Sequence, residues 1–331
     1  MLNGLKLARR AFVAGALLAA GLSQAGAAEL GDLKLGVLKF GTVNWELDVI
    51  KRHKLDEAEG FNLEIEGFGG NDAGDVALMG GAVDGIVEDW LWVNRQRSLG
   101  TDITFIPYSS SVGALMVAAD SGIASMADLA GKKIGIAGGP LDKSWLMVRA
   151  LALKENGIDL EKETEQVFGA PPLLQEKLMS GELDAIINYW HYSARLEAAG
   201  YTRLMDVTAA QAALGAEPDT PQLGYIFMQS FAEANADLIA AFGRASRAAK
   251  TILDESDEEW EALRERTRAE DDATLEALKR RYREGIVRSW GDKEREDAKK
   301  LYAVLQELGG EELVGSSPVL LDGTFWDGVR F

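Results

Sequence analysis

Apolar and polar positions alternate along residues 61–68, FNLEIEGF, and run apolar almost without a break along 33–40, LKLGVLKF, so both segments predict β-strands. Further strands are predicted over 83–88, 103–108 and 113–118. Between them, apolar positions three and four apart mark helices over 46–54, 75–81 and 91–99. The pattern then restarts: residues 133–145, KIGIAGGPLDKSW, read as a buried strand, a Gly-Gly-Pro turn and the opening of a helix that runs over 145–156. Strands over 165–168 and 183–188 follow, with a helix over 173–180 between them. Two successive sets of strand, loop and helix predict an α/β fold of two lobes on parallel sheets. After a last apolar strand over 225–229 the chain turns helical. Amphipathic stretches over 238–253, 258–268, 274–288 and 293–308 carry a solvated, charged face.

The stretch 133–145 organises the rest. Gly138 and Gly139 let the backbone turn without a Cβ clash, and the helix behind them starts with unpaired N–H groups at the positive end of its dipole. A small polar or anionic group is expected to dock there. In open α/β sheets ligands sit off the carboxyl ends of the strands, so the residues that follow each strand are the candidates for a site.

Composition narrows the chemistry. With 331 residues, 47% hydrophobic and 27% charged, the chain can bury two cores, and a net charge of −18 sets it against nucleic acid and anionic membrane surfaces. There is no cysteine, which removes disulfides, thiolate metal sites and a Cys nucleophile. The two histidines, His53 and His191, stand far apart, and the HExxH, GxSxG, GxxxxGK[ST] and GxGxxG signatures are missing. A binding protein without metal or cofactor is expected, and no enzyme.

Residues 1–27 have a basic start (Lys6, Arg9, Arg10), an apolar run from Ala11 to Leu22 and the small-residue end Ala25-Gly26-Ala27. That is the build of a secretory signal cleaved near Ala27/Ala28. Its apolar run falls short of the roughly 20 residues that span a bilayer. Export to the periplasm as a soluble monomer is the expectation.

Six segments then carry a resemblance: Gly36-Val37-Leu38-Lys39; Gly80-Gly81-Ala82-Val83-Asp84; Asp128-Leu129-Ala130-Gly131-Lys132-Lys133-Ile134-Gly135; Met179-Ser180-Gly181-Glu182-Leu183-Asp184-Ala185; Phe231-Ala232-Glu233-Ala234-Asn235-Ala236-Asp237-Leu238; and Leu321-Asp322-Gly323-Thr324-Phe325-Trp326. In order and spacing the chain resembles the solute-binding proteins of ABC importers, in the group that includes nitrate-, taurine- and alkanesulfonate-binding proteins and their thiamine-pyrimidine relatives. The resemblance implies a type II periplasmic binding protein fold, with a ligand cleft between lobes joined by two crossing strands, here near 113–118 and 224–229. Lobe one would comprise 28–118 and 224–331, lobe two 119–223. It also implies an ABC permease in the inner membrane as partner. Two rivals come with it, a sulfonate, taurine or nitrate anion binder and a synthase-like enzyme. The cytoplasmic synthases carry a cysteine-rich motif that this chain lacks.

Placing strand ends on such a cleft gives the candidate ligand residues. Lobe one offers Phe40, Gly41, Thr42, Asn44 and Trp45, then Asn71 and Asp72, then Glu88, Asp89 and Trp90, then Ser109 and Ser110. Lobe two offers Gly139, Leu141, Asp142, Lys143 and Trp145, then Pro171, then Asn188, Trp190 and His191. Trp45, Trp90, Trp92, Trp145 and Trp190 cluster at strand ends, which suits a planar ligand stacked on indoles, with Trp92 the one expected in the core. Three acids near the cleft, Asp72, Glu88 and Asp89, disfavour a simple anion unless Lys39, Lys143 or His191 offsets them. The expected solute is a flat organic molecule with amino or cationic character, such as a nitrogenous ring.

Overall fold

Ten strands form two five-stranded sheets of the same design in a computed structural model that describes residues 29–218 and 220–331. The expected export signal lies outside the described residues. The strands are β1 (Gly31–Leu38), β2 (Phe61–Phe68), β3 (Gly85–Asp89), β4 (Ile103–Ser109), β5 (Ala114–Val117), β6 (Lys133–Ala137), β7 (Glu165–Gly169), β8 (Ala185–Asn188), β9 (Thr202–Asp206) and β10 (Leu223–Met228). The helices that matter here are α1 (Val43–Arg52), α2 (Asn71–Met79), α3 (Trp90–Ser98), α4 (Lys143–Asn156), α5 (Pro171–Met179), α6 (Trp190–Ala198), α7 (Val207–Ala213), α8 (Ala236–Glu255), α9 (Asp272–Glu284) and α10 (Asp292–Val314).

The first sheet runs β2-β1-β3-β10-β4 and the second β7-β6-β8-β5-β9. In each, four of the five strands run the same way and the fourth in the row is antiparallel to both neighbours, β10 in one and β5 in the other. This corrects the expectation of purely parallel sheets. A strand reached from the other lobe enters its sheet at the cleft, where the parallel strands end, and so must run the opposite way.

The passages between sheets are the linkers 110–113 and 214–222 that precede β5 and β10. The segments near 113–118 and 224–229 lie just past those crossings, and β5, expected at the end of lobe one, is hydrogen-bonded into the second sheet. Gly113 lets the crossing chain approach closely: a Cβ there would meet the Asn188 carbonyl oxygen at 1.9 Å.

One local device repeats in both sheets. Asp84, just before β3, accepts from the Lys34 N–H of β1 at 2.7 Å, and Asp184, just before β8, accepts from the Lys133 N–H of β6 at 2.8 Å. Val83 and Leu183, one position earlier, are buried. These short motifs thus clamp the central strands that carry the cleft turns. The helix expected over 258–268 is broken into Asp257–Ala262 and Arg264–Thr267 and ends at Arg268 with φ 56°, a left-handed stop. Asn71 and Asp72, expected in a loop, open α2. Leu275, Leu278 and Tyr282 of helix α9 belong to the buried cluster that α1 and the first sheet share, Tyr282 lies 6.1 Å from Trp45 of α1 between ring centroids, and the helix lies against α6 of the second lobe.

Candidate ligand site

The carboxyl ends of both sheets face each other across a cleft with two compartments that share Gly41 and His191 as walls. The inner one, about 90 Å³, is bordered by Leu38, Thr42, Val43, Asn71, Val87, Glu88, Tyr108 and Leu223 of the first lobe and by Lys143, Tyr189 and Trp190 of the second. The outer one, about 530 Å³, is bordered by Lys39, Phe40, Asn44, Trp45 and Asp48, by Tyr192 and Arg195 of α6, and by Ala262 and Glu265–Arg268. The first is room for a few waters, whereas the second falls in the range of small-molecule pockets.

Charges in the inner compartment are already engaged. Asp142 caps α4, its Oδ1 accepting from the N–H groups of Ser144 at 2.9 Å and Trp145 at 3.3 Å. Its Oδ2 stands 3.5 Å from the buried Lys143 ammonium. Asp89 caps α3 in the same way, accepting from the Trp92 N–H at 2.7 Å. The helix start after the Gly-Gly-Pro turn, where a small anion was expected to dock, is therefore filled by the chain's own carboxylate. Gly138 and Gly139 make the turn with φ of 85° and 89° as anticipated, yet Gly139 and the exposed Leu141 border neither compartment.

Glu88 is 6% exposed and accepts from the Asn71 side-chain amide and from the Asp89 N–H, the latter at 3.2 Å. Burial first, then the neighbouring Asp89 charge, push its carboxyl up to about 8 against the pull of Lys143, so at neutral pH it holds a proton. Lys143 shows the opposite balance. Burial pushes it down, but Asp142, Asp89 and Glu88 together hold it above the usual lysine range. Its ammonium also lies 5.8 Å from the Tyr189 ring centroid.

His191 stands between the compartments, 4% exposed, with neither ring nitrogen in a full hydrogen bond. Burial, reinforced by Arg195 and opposed by the Phe40 backbone, drops its pKa to about 3, which leaves a neutral imidazole.

Of the expected residues, Phe40, Thr42, Asn44, Trp45, Asn71, Glu88, Lys143, Trp190 and His191 border one compartment or both. Others lie elsewhere for identifiable reasons. Trp90 and Trp145 sit in the first turns of helices that pack on a sheet, which turns their indoles into the core at 0% and 1% exposure. Trp92 packs against the same core. Asp72 is exposed on α2, and Asp89 and Asp142 are caps. Asn188 is spent on the backbone, donating to the Pro171 carbonyl at 3.0 Å and accepting from the Tyr189 N–H at 2.8 Å. Ser109 donates to the Gly285 carbonyl at 3.3 Å, and Ser110 borders a separate cavity behind Trp190. Sequence reasoning missed Tyr108 and Tyr189, one position short of Ser109 and Trp190. It also missed the cluster of Arg195, Arg266 and Arg268. Among the described residues no group of three or more His, Asp or Glu side chains could hold a metal ion.

The lobes meet through α6. The Trp45 and Trp190 indoles touch edge to face, 5.6 Å between centroids. Arg195 donates to the carbonyls of Thr267 and, at 3.2 Å, Arg268. Glu197 takes Arg281 of α9 at 2.6 Å and Arg203 of β9 at 3.0 Å, and these guanidiniums outweigh its partial burial, holding its carboxyl down at about 2.

The family model described as NMT1/THI5 like matches residues 57–259. By fold the chain is similar to the alkanesulfonate-binding protein SsuA from Xanthomonas axonopodis pv. citri bound to MOPS, with TM-score 0.72, 18% identity and coverage of 91% of this chain and 99% of that one. It is similar to the periplasmic aliphatic sulphonate binding protein SsuA from Escherichia coli, with TM-score 0.69, 18% identity and coverage of 89% and 97%. It is also similar to the periplasmic nitrate-binding protein NrtA from Synechocystis PCC 6803, with TM-score 0.59, 13% identity and coverage of 75% and 68%. No curated protein matches by sequence. These likenesses show the two-lobe periplasmic binding protein fold.

Proposed function

The chain belongs to the NMT1/THI5-like family, and on that premise we propose that it is the exported solute-binding subunit of an ABC-type importer. It holds a small organic solute between its lobes and passes it to a permease. The observation that carries this reading is the division of the inner compartment, where Asn71, Glu88 and Tyr108 of one lobe face Lys143, Tyr189 and His191 of the other. A solute that touches both halves favours the arrangement in which they meet, and that arrangement is the signal a permease can read. The printed names of the similar structures, which speak of sulfonate and nitrate binding, support carriage of a small solute. Among the described residues no helix is long and apolar enough to cross a membrane.

For the part of the solute that enters the inner compartment we favour a compact, flat, nitrogen-bearing group. Protonated Glu88 supplies a donor, the Tyr108 and Tyr189 rings and Trp190 supply faces and edges, and the Asp89 and Asp142 carboxylates disfavour an oxyanion there. The solute leaves unchanged. A synthase of this family would carry the cysteine-rich motif, and this chain has no cysteine.

Native mass spectrometry of protein purified without denaturation should reveal a retained small molecule. A thermal-shift screen should find nitrogenous rings that raise Tm. Conversion of any candidate into product would overturn the reading, as would stabilisation by simple sulfonates with none by nitrogenous rings for the ring preference.

A further inference from the structure

The strongest contact between the lobes lies outside both compartments. Glu197, near the end of α6, accepts from Nε and Nη2 of Arg281 at 3.0 and 2.6 Å and from Nε and Nη2 of Arg203 at 3.0 and 3.1 Å. One carboxylate thus sits in two guanidinium forks. Arg203 belongs to β9 on the same lobe as Glu197, whereas Arg281 belongs to α9, so only the second fork crosses. The remaining donors are taken up nearby: Nη1 of Arg203 reaches Asp206 at 2.9 Å, and Nη1 of Arg281 reaches Glu284 at 2.9 Å. Arg280 stands 3.7 Å from Glu197.

These six charges balance, but the two lobes do not share them evenly. The second lobe supplies the carboxylates of Glu197 and Asp206 against Arg203, and α9 supplies Arg280 and Arg281 against Glu284. Parting the lobes would leave an excess of negative charge on one and of positive charge on the other. Exposed ion pairs usually contribute little, and bidentate geometry inside a network is the exception. Two more contacts cross the same boundary through the chain's own groups. Arg195 donates to the carbonyls of Thr267 and Arg268, and Arg95 of α3 donates to the Leu141 carbonyl at 3.3 Å.

We infer that Glu197 and Arg281 form a latch that draws the lobes together before any solute arrives, so that affinity is set in part by residues no solute touches. A solute binds more tightly the larger the fraction of protein already in the competent arrangement. The inference rests on the solute-binding reading only for what the latch serves. The cavity behind Trp190, about 240 Å³, is bordered by Arg203, Asp206, Arg281 and Glu284, so water and salt ions reach the cluster and the latch weakens as ionic strength rises.

The chain has no cysteine, so two can be introduced and labelled cleanly. Val76 on α2 and Leu173 on α5 are exposed and follow β2 and β7, the sheet edges farthest from the crossings. Val76→Cys and Leu173→Cys with nitroxide labels read the lobe separation by pulsed electron spin resonance. The protein is first unfolded and refolded to strip it of solute, and native mass spectrometry checks that it is empty. The short distance should dominate at low salt, and Arg281→Gln should lower the ratio of short to long about ten-fold, the loss expected for one charge-assisted bidentate pair. Glu197→Gln should shift it in the same direction. Raising sodium chloride to about 1 M, where the Debye length is roughly 3 Å, should open the unsubstituted protein and change Arg281→Gln much less. Arg288→Gln, which removes a base paired with Asp254 elsewhere, should leave the distances alone, and the circular dichroism spectrum should be the same throughout. A long distance in the empty protein at low salt, or the same ratio in Arg281→Gln, overturns the latch and leaves the solute-binding reading intact. A working latch in a protein that never retains a solute would do the reverse.

Discussion

The two compartments of the cleft share a wall and differ in what their charges are for. Inside, Asp89 and Asp142 cap helices, Lys143 balances those two carboxylates, and Glu88 keeps its proton, so each charge is part of the fold. Outside, Lys39 and Arg268 are exposed and pair with nothing described, so their charge is not used by the fold. A pocket's character follows from which of its charges are unspent, and a count of acids and bases along the chain misses this.

The sharpest way to break this contrast is to remove the inner cation. Lys143→Met would leave the Asp142 and Asp89 carboxylates without their counter-charge at a buried site, and a loss of about 3 kcal/mol in unfolding free energy is expected by denaturant titration. If it costs no more than Lys39→Gln, the inner charges are not structural.

A pH scan comes next. The Glu88 pKa is raised from 4.5 to about 8, so the stability its proton contributes is whole below pH 4.5 and is lost as pH rises through 8. Tm should fall over that window, and Glu88→Gln should flatten the fall. On the acid side His191 is lowered from 6.5 to about 3, so its contribution is whole above pH 6.5 and is lost as pH falls toward 3. His191→Asn should flatten the upper part of that slope. The lower part overlaps Glu197, whose contribution is whole above pH 4.5 and is lost as pH falls toward about 2. The smallest effect belongs to the outer wall, where Lys39→Gln and Arg268→Asn should each stay within about 0.5 kcal/mol of wild type in the same titration.

Much of the fold was legible because burial writes period two and period 3.6 into the sequence, and β1, β2, β4 and β6 appear almost where the pattern puts them. β9, Thr202–Asp206, was invisible because it is only half-buried and carries Arg203 at its second position. The antiparallel β5 and β10 were missed as such because strand direction depends on a crossing that no local pattern records. In the site, large tryptophans drew attention at strand ends, yet at a helix start Trp90 and Trp145 fall on the packed side. An Asp directly before a helix is a capping signal, and at Asp89 and Asp142 it outweighed any ligand role. The outer cluster draws on residues 39, 195 and 266–268, too far apart in the chain for spacing to unite them.

Helix α6 begins with Trp190 and His191 at the compartments and continues through Arg195 and Glu197, which grip the opposite lobe. On the proposed reading, selectivity and release speed are written into the same nine residues. A change that retunes which molecule is chosen will also retune how long it is kept, so any lineage acquiring a new cargo must renegotiate its handover to the membrane at the same step.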